Sequence, residues 1–182
     1  MRSKGTNFHG LLESVERSRG KDARARLIAS VEGELGDALR HGAILTGGWY
    51  PIAWHDAILR ALEETFPGEP HIIREVTGQA VRKDFETLFK VVRLVATPAF
   101  ALTNATRVMA RYFDGGRVSV LEAREGRIHF RFDDYVGFTP RIWEDVIGGM
   151  EAVIGMLEVA HQPFDVRGTR NESRDVIVVY RA

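Results

Sequence analysis

"RVSVLEAREGRIHFRFDDY", Arg117 to Tyr135, decides how this chain folds. It holds two runs of alternating apolar and polar residues, joined at Glu125-Gly126. A period of two belongs to extended backbone that buries one face, and a glycine in the joint allows a tight reversal. The stretch therefore predicts a β-hairpin. Val118 and Val120 share one face of its first strand, and Ile128, Phe130 and Phe132 share one face of its second. His129 alternates away from that face.

Downstream, "TPRIWEDVIGGMEAVIGMLEVAHQ" has the period of an amphipathic helix, with Thr139 as N-cap and Pro140 at the first helical position. Phe164 to Val166 begins a third short strand, and "RDVIVVYRA" is the last. Its apolar residues are continuous rather than alternating, which predicts a central strand covered on both faces. Inside the helix, Gly148, Gly149 and Gly155 each cost about 1 kcal/mol relative to alanine, so some neighbour must come close. The sheet is the expected neighbour; a ligand or the same helix of a second subunit are the alternatives.

Upstream, the pattern is helical. Residues 1–10 are polar apart from Phe8 and read as a flexible arm. "LLESVERSRG" is a short helix ended by Gly20, and "KDARARLIASVEGELGDAL" continues in helical period to Leu39, closed by His41-Gly42. Pro51 sits at the first turn of a helix marked by Ile52, Ile58, Leu59, Leu62 and Phe66, which "FPGEP" stops. A longer helix spans His71 to Ala96 and another Phe100 to Tyr112. The fold class is α+β, with N-terminal helices packed on a C-terminal antiparallel sheet in β-β-α-β-β order. The 182 residues form one domain, mainly helical over 11–113 and ββαββ over 117–182.

Composition narrows the function. Lys+Arg and Asp+Glu both number 25, so the chain lacks the cation surplus of a general nucleic-acid binder. It has no cysteine, which excludes disulfides, thiolate zinc sites and cysteine nucleophiles. "MRSKGTNFHG" is not a secretory signal, and no apolar run is long enough to span a membrane, so the expected location is cytoplasmic.

Three stretches carry a resemblance: "FHGLLES" before an amphipathic helix, "GGWYP" opening the next, and "RIWEDVIGGMEAVIGMLEVAHQPFDVRG" leading into a final strand. In these the chain resembles a paralogous family of uncharacterised proteins greatly expanded in myxobacteria. The helices-then-ββαββ order is also similar to a wider superfamily of 4-vinyl-reductase-type domains, H-NOX-like haem nitric-oxide-binding regulators and TRAPP vesicle-tethering subunits. The resemblance covers nearly the whole chain and implies a ligand-binding or interaction module, commonly dimeric, rather than one chemistry. Relatives often carry a Gly-x-x-x-Cys pair before the last strand; "RGTRNESRDVIVVY" stands there in this chain, so cysteine ligation does not transfer.

The candidate site is the aromatic mouth of "GAILTGGWYPIAWHDAILRAL". Trp49, Tyr50 and Trp54 could line a pocket for an apolar molecule, with Phe100, Phe130 and Trp143 closing it. The other reading is a helix-to-helix staple, the commoner use of aromatics at a helix entrance. Of the six histidines, none pair at the spacing of a helical zinc site, so no metal site is expected. His55, flanked by aromatics, is the one candidate for an axial haem ligand. The carboxylates of "FDD" and "WED" have no partnering base or nucleophile, so no catalytic residue and no cofactor is assigned. The leading expectation is a non-enzymatic ligand-binding or protein-interaction module in bacterial signalling. A structural homodimerisation domain and a haem or tetrapyrrole sensor are the alternatives.

Overall fold

The hairpin forms as its alternation requires. In a computed structural model, which describes residues 1–92, 105–156, 160–168 and 170–181, β3 (Arg117–Arg124) pairs antiparallel with β4 (Arg127–Asp133). Gly126 takes the turn with φ of 76°, a conformation that disfavours any side chain. Val118 faces Phe132 and Val120 faces Phe130 before a bulge at Leu121 shifts the register, so that Glu122 faces His129. The bulge twists this edge strand and leaves Val120 37% and Leu121 54% exposed, so the apolar signal of the first strand is only half spent on the core.

The last strand, β7 (Arg174–Arg181), lies against β4 with Ile128 opposite Val178 and Phe130 opposite Val176. Two short strands, β5 (Ala160–His161) and β6 (Asp165–Arg167), pair one after the other along its far edge. β7 is therefore central, and Val176, Ile177 and Val178 are all buried, as a continuous apolar run demands. Between the hairpin and these edge strands runs α7 (Pro140–Met156), with Thr139 Oγ1 accepting from the Ile142 N–H at 3.4 Å as the cap.

Six further helices precede the hairpin among the described residues: α1 (Gly5–Arg19), α2 (Lys21–Ser30), α3 (Gly33–Arg40), α4 (Ile52–Thr65), α5 (Ile72–Val92) and α6 (Ala105–Tyr112). Apolar faces from α1, α2, α3, α4, α5 and α7 join the inner sheet face in one continuous core, which includes Phe8, Leu27, Leu59, Phe130 and Val178. The α+β architecture expected from the sequence is the one observed.

Three expectations are corrected. The first ten residues are not an arm: Arg2–Lys4 is a strand, β1, paired antiparallel with β2 (Trp49–Pro51), and α1 starts at Gly5. A three-residue polar strand carries no alternation to read, and its order comes from backbone pairing. Ser3 is 0% exposed, and a β-carbon on Gly5 would lie 1.9 Å from the Leu45 carbonyl oxygen. The helix drawn through "KDARARLIASVEGELGDAL" breaks at Val31 and Glu32, both extended. The glycines resume it on a new axis, for a β-carbon on Gly36 would meet the Val31 carbonyl oxygen at 2.0 Å. Finally, the neighbour that Gly148 admits is a helix rather than the sheet. A β-carbon there would stand 2.6 Å from Arg74 Cα and 2.7 Å from its carbonyl oxygen, so α5 crosses α7 in backbone contact. Arg74 clamps the crossing through Glu144 at 3.0 Å and Glu151 at 3.1 Å.

Candidate functional site

The aromatic residues singled out in the sequence form a chain of rings across the core. Tyr50 stacks on Trp54 at 5.7 Å with the rings 15° apart, and meets Phe8 edge-on at 5.8 Å. Phe8 touches His55, His55 touches Phe113 at 5.8 Å, and Phe113 leads through Phe138 to Trp143, each step 5.0 Å. Trp143 packs edge-on to Phe132, and Phe132 lies beside Phe130. The rings thus run from the β1–β2 ribbon to the main sheet, tying the helical half to the strand half. Trp49 stands outside this chain, with Lys4 Nζ 4.6 Å above its ring. Phe100 lies outside the described residues.

Beside this chain is a half-open apolar cavity of about 110 Å³. Its floor and walls come from α1 (Asn7, Gly10, Leu11), α5 (Thr77, Ala80, Val81) and α7 (Asp145, Gly149, Met150, Val153). Val108, Met109 and Tyr112 of α6, Phe132 of β4 and Asp84 of α5 also line it. Of the six described aromatic-mouth candidates, Trp49, Tyr50, Trp54, His55, Phe130 and Trp143, none is among its lining. The cavity exists because small residues meet where helices approach: Gly10 faces Ala80 and Gly149 faces Val81, and each larger side chain would fill it. Opposed small residues on separate helices leave no local pattern, so only the known crossing of α1, α5 and α7 makes them legible.

A buried polar relay links the cavity wall to the N-terminal strand. Asn7 Nδ2 donates to Ser3 Oγ at 2.7 Å and to the Tyr112 carbonyl at 3.2 Å. Ser3 Oγ lies 2.7 Å from His55 Nδ1, and His55 Nε2 lies 3.2 Å from Asp145 Oδ2, whose other oxygen accepts from Thr77 at 2.5 Å. A carboxylate only accepts, so in the neutral ring Nε2 carries the hydrogen and Ser3 donates to Nδ1. The Nε2–Asp145 contact is close but poorly aligned, which leaves Nε2 among the few buried polar atoms without a hydrogen bond in the described residues. Serine, histidine and acid in a row resemble a nucleophilic set, yet Ser3 is sealed from solvent and bonds the wrong ring nitrogen for attack.

At the mouth, Tyr112 donates to Asp84 Oδ2 at 3.3 Å. Solvent reaches Asp84, but the apolar walls behind it raise its carboxyl pKa, with the Tyr112 bond working against the rise. Burial, with Asp84 beside it, holds the Tyr112 hydroxyl far above the ordinary phenol range. Asp145, the second carboxylate of "WED", stands on the inner wall with His55 beside it, a neighbour that the local sequence does not show.

No family model matches the sequence, and no curated protein matches it. Solved structures do. An unliganded Fe(II) H-NOX protein from K. algicida superposes with a TM-score of 0.70 at 13% identity, covering 98% of this chain and 97% of the other. An Fe(II)NO H-NOX protein from S. oneidensis gives 0.73 at 11%, covering 98% and 99%. An oxygen-binding H-NOX domain related to soluble guanylate cyclases gives 0.69 at 14%, covering 98% and 95%. The fold is that of the H-NOX domains. Of the relatives that the resemblance implied, the H-NOX-like layout is the one observed, as a fold.

The Fe(II) of the first two, and the haem that the resemblance implies, set a test for the donors here. Haem iron takes an axial histidine, cysteine, methionine or tyrosine. The chain has no cysteine, and no histidine lines the cavity among its described residues. All six histidines lie elsewhere. His9 bonds the Ile44 carbonyl, His129 pairs with Asp175 on the outer sheet face, and His41, His71 and His161 are exposed. His55 has one nitrogen on Ser3 and the other against Asp145. Residues 93–104 contain no histidine, cysteine, methionine or tyrosine. The neutral, hydrogen-bonded Tyr112 is a poor ligand, which leaves the thioethers of Met109 and Met150. The polar lining is acidic, with Asp84 and Asp145 and no described lysine or arginine to receive haem's carboxylates. The residues present do not fit a histidine-bound haem.

Proposed function

We propose that this chain is a small-molecule-binding module on the H-NOX fold, non-enzymatic, whose ligand is an apolar molecule held without an iron–histidine bond. The cavity carries this reading: an apolar, half-open space at the meeting of four helices and the sheet is where a ligand gains the most burial. The likeness to Fe(II) H-NOX structures supports ligand binding at this layout, and the donor set speaks against haem as the ligand. Within the module, the Asn7 side chain on the cavity wall donates to Ser3 of the N-terminal strand, a direct link that suits a signalling role. The narrower kinship with the myxobacterial proteins that share "GGWYP" belongs to the same proposal.

Two measurements on the purified chain test it. Native mass spectrometry is expected to show a non-covalent small-molecule adduct, lost when Val153→Phe fills the cavity. Added haemin is expected to give no sharp Soret band of an axially ligated haem. A protein without adduct that takes up one haem with such a band would refute the proposal and establish the haem-sensor alternative.

A further inference from the structure

We propose that the cavity selects an apolar amine, its ammonium group meeting Asp145 on the inner wall and its hydrocarbon body lying between Met150, Val153, Val108 and Met109. The inference rests on the reading that the cavity holds a ligand, and adds the chemical class of that ligand.

Charge is the first support. Asp145 and Asp84 are the charged side chains in the described lining, both negative, in a chain whose total charge is zero. A site for a carboxylate or phosphate would need the reverse. Neither acid forms an ion pair with a lysine or arginine within the described residues. The fold's other carboxylates with buried surroundings do have such partners: Glu151 has Arg74, and Asp175 has Arg131.

Desolvation is the second. The Asp145 side chain is only 14% exposed, and an ionised carboxylate in so apolar a wall calls for compensation. What it has is the Thr77 hydroxyl on one oxygen and the misaligned His55 Nε2 on the other. An ammonium brings donors and the missing charge together, and charge-assisted bonds of this kind exceed neutral ones. At the mouth, Asp84 adds a second acid to the lining, exposed to solvent and within the field of Arg111 and Lys83, so Asp145 is the head-group site.

Isothermal titration at pH 7 with three probes of equal chain length separates the possibilities: n-hexylamine, 1-hexanol and hexanoate. The amine is expected to bind about tenfold more tightly than the alcohol, because both donate to the carboxylate but only the ammonium adds an opposite charge, and hexanoate not at all. Asp145→Asn should bring the amine to the affinity that the same variant shows for the alcohol, with an unchanged thermal midpoint showing the fold intact. Asp145→Glu should restore the preference, and Asp84→Asn should reduce it by less than about threefold, as expected of a solvent-screened charge. Equal binding of amine and alcohol by the wild type, or binding of hexanoate, overturns the amine assignment while leaving a ligand cavity. Loss of preference in Asp84→Asn rather than Asp145→Asn overturns the placement of the head group. Failure of all three probes to bind overturns the cavity reading and this inference together.

Discussion

Replacing glycines of α7 by alanine should change stability in opposite directions at two positions seven residues apart. Alanine gains about 1 kcal/mol of intrinsic helix propensity over glycine at either place. At Gly155 the new methyl would meet only Arg82 Nη2, at 3.6 Å, the far end of a flexible side chain. The gain is kept, and Gly155→Ala should stabilise by roughly 0.5–1 kcal/mol. At Gly148 the methyl would lie 2.6 Å from Arg74 Cα and 2.7 Å from its carbonyl oxygen, neither of which can move without displacing α5. Overpacking of that kind costs about 1–3 kcal/mol, and moving α5 also strains the Arg74 pairs with Glu144 and Glu151. Net of the propensity gain, Gly148→Ala should destabilise by up to about 2 kcal/mol. Urea unfolding followed by far-ultraviolet circular dichroism resolves both, with thermal midpoints moving by roughly 2–4 °C per kcal/mol for a chain of this size. Equal stabilisation by both substitutions would show that α5 does not touch α7 at Gly148, and the cavity between them would lose its geometry.

Other perturbations probe other parts. Ser3→Ala strips His55 Nδ1 and one Asn7 donor of their partner in a buried site, and should destabilise by about 1–3 kcal/mol in the same urea assay; a neutral result would mean the relay is solvated. Asp175 is held below the usual carboxylate range by its bond to Arg131 first, against the opposing effect of burial, with His129 adding to the drop. Its folded pKa is thus lower than its unfolded one, so its contribution is complete above about pH 4 and is lost as the pH falls through the folded value. Asp175→Asn should therefore flatten the acid limb of the stability–pH curve and leave its neutral slope unchanged, read from denaturation midpoints across pH.

Legibility followed range. The hairpin was readable because alternation in Ile128, Phe130 and Phe132 is a local signal of one buried face, and β7 because a continuous apolar run requires cover on both faces. Thr139-Pro140 marked the start of α7 by capping chemistry that lies within three residues. By contrast, β1 was invisible: Ser3 and Lys4 gain their order from backbone pairing with Trp49 and Tyr50, nearly fifty positions away. The aromatic mouth was found, but its ring-to-ring route through Phe8, Phe113 and Phe138 depends on three separate elements meeting. The cavity was the least legible of all. Gly10, Ala80 and Gly149 say nothing singly, and they define a space only when three helices bring them together.

The four methionines supply the most direct test of the central claim, because Met109 and Met150 line the cavity and Met1 and Met156 do not. With their methyl carbons labelled for NMR, titration with 1-hexanol should move the Met109 and Met150 signals along one saturable curve and leave the other two in place. Shifts confined to Met1 and Met156, or no saturable shift at any of the four, would contradict the account.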